Sequence, residues 1–197
     1  MQPSYSGFEQ IINENNAHCD IFRGYLPPDY AINLLNYLLS SVEWEQHSHY
    51  AGTENRNTYR MGDPGVKHGY TGQEELVKPW IQILEQFRTS FNQRFKTQIN
   101  SALLNRYRNG HDYISMHSDR ECRPPLNMVV AISLGQTRDF HFKRKSDGEL
   151  IRTVFNNGDL MIMYGRCQEL FKHGVPARKG QKDANMDERI SITFREL

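Results

Sequence analysis

His117-Ser118-Asp119 and, far downstream, His173 are the residues of this chain best suited to holding a transition metal. Two imidazoles and one carboxylate on one side of a metal leave three coordination positions open, the facial arrangement of non-haem Fe(II) oxygenases. His117 and Asp119 are two apart, so on a strand both side chains point to one face. The third ligand must then come from a strand packed opposite, a place His173 can fill. The chain closes on an alternating run, with Arg189, Ser191, Thr193 and Arg195 on one face and Ile190, Ile192 and Phe194 on the other. The apolar face would pack against a second layer and the polar face would look into a barrel interior. Two buried guanidiniums there need anions, which a dicarboxylate co-substrate would supply. The residues alone leave open that the arginines instead line an exposed edge strand, where natural sheets do carry charge.

The elements that must position these groups fall into two halves. Pro27-Pro28-Asp29 precedes Ala31, Leu34, Leu35, Leu38, Leu39 and Val42, a helical stripe with a proline start. A second helix is predicted from near Pro79, with Trp80, Leu84, Phe87, Phe91 and Phe95 as its core face. From Ser101 onward the pattern turns to short strands: Ala102–Tyr107, Tyr113–His117, Val129–Leu134, Phe140 to Phe142, Leu160–Tyr164 and Ile190–Phe194. Asn109-Gly110 predicts a hairpin joining the first two of these. Ser146-Asp147-Gly148 and Asn156-Asn157-Gly158-Asp159 read as further turns. The fold class expected is mainly β, a sandwich or jelly roll over 101–197 with two N-terminal helices covering it. Residues 1–20 are set aside as an N-terminal extension of a single domain. Residues 50–72, rich in Gly, Asn, Arg and Tyr, fit neither class and read as a lid or binding flap.

With 197 residues the chain is long enough for a real core. Its net charge of +1 is unevenly spread. Residues 1–100 carry 8 Lys and Arg against 11 Asp and Glu, and residues 101–197 carry 16 against 12. The basic excess lies with the proposed site and suits an anionic substrate. Cys19, Cys122 and Cys167 are scattered without a CxxC pair, which argues for a reducing compartment. No signal peptide and no membrane-spanning apolar stretch is visible. The expectation is a soluble intracellular monomer, in nucleus or cytoplasm, with no membrane partner. His47, His49, His68 and His111 lie in polar loop sequence and receive no role, and His141 between Phe140 and Phe142 reads as structural.

Taken in order, Asn105-Arg106-Tyr107, Asn109-Gly110, His117-x-Asp119, Asp139-Phe140-x-Phe142, Gly158-Asp159-Leu160, His173 and Arg189-x5-Arg195 resemble the AlkB family of Fe(II)- and 2-oxoglutarate-dependent dioxygenases, and its nucleic-acid repair branch in particular. The resemblance implies a double-stranded β-helix with a nucleotide-recognition lid. It implies Fe(II), 2-oxoglutarate and O2 as cofactor and co-substrates, with His117, Asp119 and His173 as metal ligands. Arg189 and Tyr107 would hold the distal carboxylate of 2-oxoglutarate, Asn105 and Arg195 its other end, and Thr193 would support the pocket. Ser191 stands where the family often has Asn, and it reaches less far.

By the same resemblance Glu121 would contact the exocyclic amine of a methylated base, with Tyr59 and Tyr70 on the lid and Arg120 near phosphate. The implied activity is oxidative demethylation of N1-methyladenine and N3-methylcytosine in DNA or RNA. A base inside a duplex would have to be flipped out to be reached. Two alternatives stand beside it: a dioxygenase acting on a protein side chain or small metabolite, and a non-catalytic nucleic-acid-binding module.

Overall fold

The computed structural model describes residues 7–46, 48–49, 52–53, 55–70, 73–119 and 128–197, with backbone alone at 48–49, 52–53, 68–70, 73–76 and 181–182. Its strands run β1 (Gly7–Glu14), β2 (Ala17–Arg23), β3 (Ser48–His49), β4 (Gly52–Thr53), β5 (Asn57–Gly62), β6 (Lys67–Tyr70), β7 (Gln73–Leu76), β8 (Ser101–Tyr107), β9 (Ile114–His117), β10 (Val129–Gly135), β11 (Arg138–Arg144), β12 (Leu150–Phe155), β13 (Leu160–Gly165), β14 (Phe171–Val175) and β15 (Arg189–Arg195). Helix α1 spans Pro28–Ser41, α2 spans Gln82–Phe95, and a single turn, α3, spans Cys167–Leu170. The strands form a jelly roll. A major sheet has the order β1-β2-β13-β10-β15-β8-β5, and a minor sheet has the order β12-β11-β14-β9. No helix among the described residues is long and apolar enough to cross a membrane.

Alternation along the major strands divides the interior in two. Leu104, Ile132, Leu134, Ile190, Ile192 and Phe194 face the helices and pack with Leu34, Leu38, Leu84 and Phe91. Ile21, Tyr107, Val129, Ala131 and Met161 face the other way and meet Phe140, Phe142, Phe155 and Phe171 of the minor sheet. Ile190, Ile192 and Phe194 are fully buried, each contributing about 1.5–3 kcal/mol by the area it removes from water. This face holds the terminal strand in register, and a carboxylate placed at Ile192 would be buried without a partner. Helix α1 has its proline at the start and Asp29 in its first turn, where the helix dipole favours a negative charge.

Three expectations need correction. Asn109-Gly110 does not close a hairpin: β8 pairs with β5 and β15, whereas β9 pairs with β14 in the opposite sheet. The turn is real, since Asn109 Oδ1 accepts the His111 N–H at 2.9 Å, but Gly110 is packed against Asp183 and Met186 and the chain crosses between sheets there. The Arg138 guanidinium holds the crossover by donating to the carbonyls of Asn109, Gly110, Asp112 and Pro176. Next, residues 7–23 are no appendage. They form a hairpin whose second strand pairs with β13 at the edge of the major sheet. Its turn places Asn15 and Asn16 at φ 49° and 62°, the two left-handed positions that asparagine tolerates. A register shift between Gln10 and Ile12 breaks the alternation that would have announced the strand. Finally, the segment 50–72, which by sequence fits neither helix nor strand, does contain strand. Its centre, β5, is an edge strand of the major sheet, flanked by two small strand pairs.

Candidate active site

His117 and His173 stand directly opposite each other on β9 and β14, with ring centroids 4.4 Å apart. The His117 Nδ1–H donates to the Ser115 carbonyl at 2.8 Å. Only a protonated nitrogen can face a carbonyl, so the Nε2 lone pair is left for the site. Phe140 stacks on His173, with centroids at 5.7 Å and planes 14° apart, and fixes that ring's plane. Asp119 does not share the strand as its spacing suggested, because β9 ends at His117. Side chains hold it instead. The Asp119 N–H donates to Gln168 Oε1 at 2.9 Å, Ser118 Oγ donates to the Phe171 carbonyl, and Arg195 Nη2 pairs with Asp119 Oδ1 at 2.7 Å. The Asp119 carboxylate lies 3.7 Å from His117 Nε2 and 3.6 Å from His173 Nε2. One ligand atom from each of the three residues falls within 4.8 Å of the others.

The other end of the site is a wall of three neighbouring strands. Register places Tyr107 opposite Arg189, Asn105 opposite Ser191, and Ser133 beside Ser191 on the far side. Arg189 is buried, with its guanidinium 5.1 Å from the Tyr107 ring and 5.4 Å from the Phe155 ring. Its Nε donates to Ser133 Oγ at 2.9 Å, while Nη1 and Nη2 find no hydrogen-bond partner among the described residues. Thr193 lies on the same inward face, buried between Leu103 and Ala131. Arg56, just before β5, reaches inward and donates to Asn105 Oδ1 at 2.7 Å.

Burial sets the electrostatics. It pushes the His173 imidazole down to about 3 against the pull of Asp119, and it lowers His117 in the same way, with Arg195 and Arg56 adding repulsion. Both rings are therefore neutral at physiological pH, the form that ligates a metal. Burial also lowers Arg189, to about 10, which still leaves it charged. Two neutral imidazole nitrogens and a carboxylate suit Fe(II). The Nη1 and Nη2 amino groups of Arg189 suit a carboxylate in the bidentate manner.

The structure thus brings together His117, Asp119, His173, Asn105, Tyr107, Arg189, Thr193 and Arg195. Arg120 and Glu121 lie outside the described residues, as does the side chain of Tyr70. Tyr59 pairs with Leu104 on the helix-facing side of β5, with Lys78 4.9 Å over its ring. Thr58 and Arg60 take the inward positions. Sequence reasoning missed Arg56, Ser133 and Gln168, and gave no role to Arg138, whose Arg138-Asp139-Phe140 run carries part of the family resemblance. Arg56-x-Thr58-x-Arg60 repeats the alternation of the terminal strand and was legible. Ser133 and Gln168 gave no local signal.

Comparison with known proteins agrees with this geometry. A family model described as the 2OG-Fe(II) oxygenase superfamily matches residues 18–195. The DNA oxidative demethylase ALKBH2 of Bos taurus is 30% identical over 151 residues, 72% of this chain and 53% of that protein. The alpha-ketoglutarate-dependent dioxygenase alkB homolog 3 of Homo sapiens is 26% identical over 193 residues, 89% of this chain and 64% of that protein. The chain therefore spans between about half and two thirds of the length of these relatives. The solved structure of OsALKBH1 superposes with a TM-score of 0.63 at 17% identity, covering 90% of this chain and 97% of that one, a likeness of fold.

Proposed function

Since the chain belongs to the AlkB family of the 2OG-Fe(II) oxygenase superfamily, we propose that it oxidatively removes methyl groups from nucleic-acid bases of the N1-methyladenine and N3-methylcytosine type. The observation that carries this reading is the pairing, between the two sheets, of the His117, Asp119 and His173 cluster with the guanidinium edge of Arg189, the two linked through Phe140 and Phe155. Both relatives named above are described as oxidative enzymes, one of them acting on DNA.

In this reading His117 and His173 offer Nε2 to Fe(II), and Asp119 offers a carboxylate oxygen steered by Arg195 and by Gln168. Arg189, backed by Ser133 and Tyr107, takes the distal carboxylate of 2-oxoglutarate, with Asn105, Thr193 and Arg195 lining the remainder of its path. Fe(II), 2-oxoglutarate and O2 together supply the oxidation of the methyl group, which leaves as formaldehyde. The aromatic wall of Phe140, Phe142 and Phe155 keeps water from the interior. By the family resemblance Glu121 would accept a hydrogen bond from the exocyclic amine of the base and complement its positive charge, and Arg120 and Tyr70 would be further substrate contacts.

The test is mass spectrometry of methylated DNA and RNA oligonucleotides, single- and double-stranded, after incubation with iron, ascorbate and 2-oxoglutarate. Loss of the methyl group with matching succinate is the expected result. Succinate formed only with a protein or metabolite extract would replace the nucleic-acid reading with the other dioxygenase one. Glu121→Gln keeps the shape and loses the charge, so it should impair methyl removal more than 2-oxoglutarate binding.

A further inference from the structure

Behind the minor sheet lies a surface that the chemistry of the site does not use. Along β11, Phe140 and Phe142 point inward, so His141 and Lys143 point outward. Register sets His141 between Arg152 of β12 and Gly174 of β14, and Lys143 between Leu150 and Lys172. The outer face therefore carries Arg152, His141, Lys143 and Lys172 across three neighbouring strands, with both lysines and Arg152 exposed. Lys143 and Lys172 sit directly opposite each other, and like charges in that position destabilise a sheet.

The nearby carboxylates do not relieve the repulsion, because each is committed elsewhere. Glu14, Asp147 and Glu149 all bind Arg144, Asp139 binds Arg178, and Glu169 binds Arg166. Lys143, Lys172 and Arg152 make no ion pair among the described residues. Gly174 leaves the floor beside His141 flat, since a Cβ there would lie 2.8 Å from the Ile114 carbonyl. Lys172 adjoins His173, and β14 is one strand from the edge at β9, which carries His117. Lys172 precedes His173 on β14, so the outer basic face lies on the reverse side of a strand that carries one of the clustered histidines.

We propose that this face is a second, base-independent contact surface for nucleic-acid phosphates, engaging the strand beside the modified base. The inference rests on the nucleic-acid reading of the site, and adds that affinity comes in part from outside the cavity.

The experiment measures binding of a labelled, undamaged oligonucleotide to the full chain across a salt series. In Lys143→Gln/Lys172→Gln the slope of log affinity against log salt should shallow by about 1 per lysine. Lys143→Glu/Arg152→Glu, both distant from His173 in sequence, should weaken binding at least about tenfold at low salt. An unchanged 2-oxoglutarate affinity and an unchanged rate on a free methylated nucleoside show that fold and cavity are intact. Wild-type affinity and slope in both variants would overturn the surface. If the wild type binds and the variants lose binding, yet no strand is demethylated, the surface stands and the functional reading falls. If the wild type demethylates long oligonucleotides and the variants do so equally well, the reverse holds.

Discussion

The two ends of the cavity are built in different ways. The wall around Arg189 is set by backbone register: β10, β15 and β8 are neighbours, and Ser133, Arg189 and Tyr107 meet because the ladders place them there. The metal end is set by side chains. Asp119 lies past the end of its strand and is positioned by Gln168 and Arg195. A ladder shares its load over many hydrogen bonds, whereas a ligand positioned by individual side chains depends more on each. The wall should therefore tolerate loss of a functional side chain without losing its shape, and the metal end should not.

The largest effect expected is for Asp119→Ala, which should abolish turnover, because one of three ligands is gone. It also breaks the buried pair with Arg195, and should cost up to about 3–5 kcal/mol in the metal-free protein. Retained activity in metal-defined protein would remove Asp119 from the site.

The two arginines sharpen the contrast most directly. Arg189→Leu should weaken 2-oxoglutarate binding by about 2–5 kcal/mol, with Arg189→Lys recovering part of it, since an ammonium lacks the planar fork. Its thermal stability should stay level or rise, because a buried guanidinium with two unsatisfied nitrogens is replaced by an apolar group. Arg195→Leu should instead lower metal-free stability, by up to about 3–5 kcal/mol, since it removes the cation paired with the buried Asp119 carboxylate. Melting curves that move the same way in both variants would erase the distinction between the ends.

A smaller effect is expected from Gln168→Leu, which removes the acceptor of the Asp119 N–H. Iron affinity should fall about 10–100-fold, the usual cost of losing an outer-shell orienting group, while 2-oxoglutarate binding to the metal-free wall is unaltered. Equal iron affinity in a metal titration would mean that Arg195 alone positions Asp119.

The gentlest probe is pH. Burial holds His173 at about 3 in the folded chain, against an ordinary value of 6.5. Between those values the unfolded state binds the extra proton. Metal-free stability should thus be full above about pH 6.5 and decline below it, by up to roughly 1.4 kcal/mol per pH unit for one histidine. His117, shifted the same way, adds to the decline. Thermal melts of chelator-treated protein at neutral and mildly acidic pH test this, and a flat profile would mean that the rings are solvated.

What could be read from the sequence follows the same division. The inward face of β15 was legible because a period of two is written into Arg189 to Arg195, and the helices were legible from their apolar stripes. The Asn109-Gly110 turn was seen and its destination was not: a turn signal reports local backbone geometry, whereas the sheet a strand joins is decided by contacts such as Arg138 with Pro176, remote in sequence. The same holds for Gln168 and Ser133, whose roles come only from packing. The β1–β2 hairpin escaped because a bulge shifts its alternation midway.

The Arg138 guanidinium deserves a last consequence. It fastens the carbonyls of Asn109, Gly110 and Asp112, which follow Tyr107, to that of Pro176, which follows His173. One side chain thereby sets how long both connections can be. Lengthening either would pull carbonyls off a buried cation, so insertions there should be purged over evolutionary time. The tip at Ser146–Gly148 has no such tether to the crossover, and length variation can accumulate there. The chain is free to remodel what it touches at its rim while the pairing of His117 with His173 across β9 and β14 stays in place.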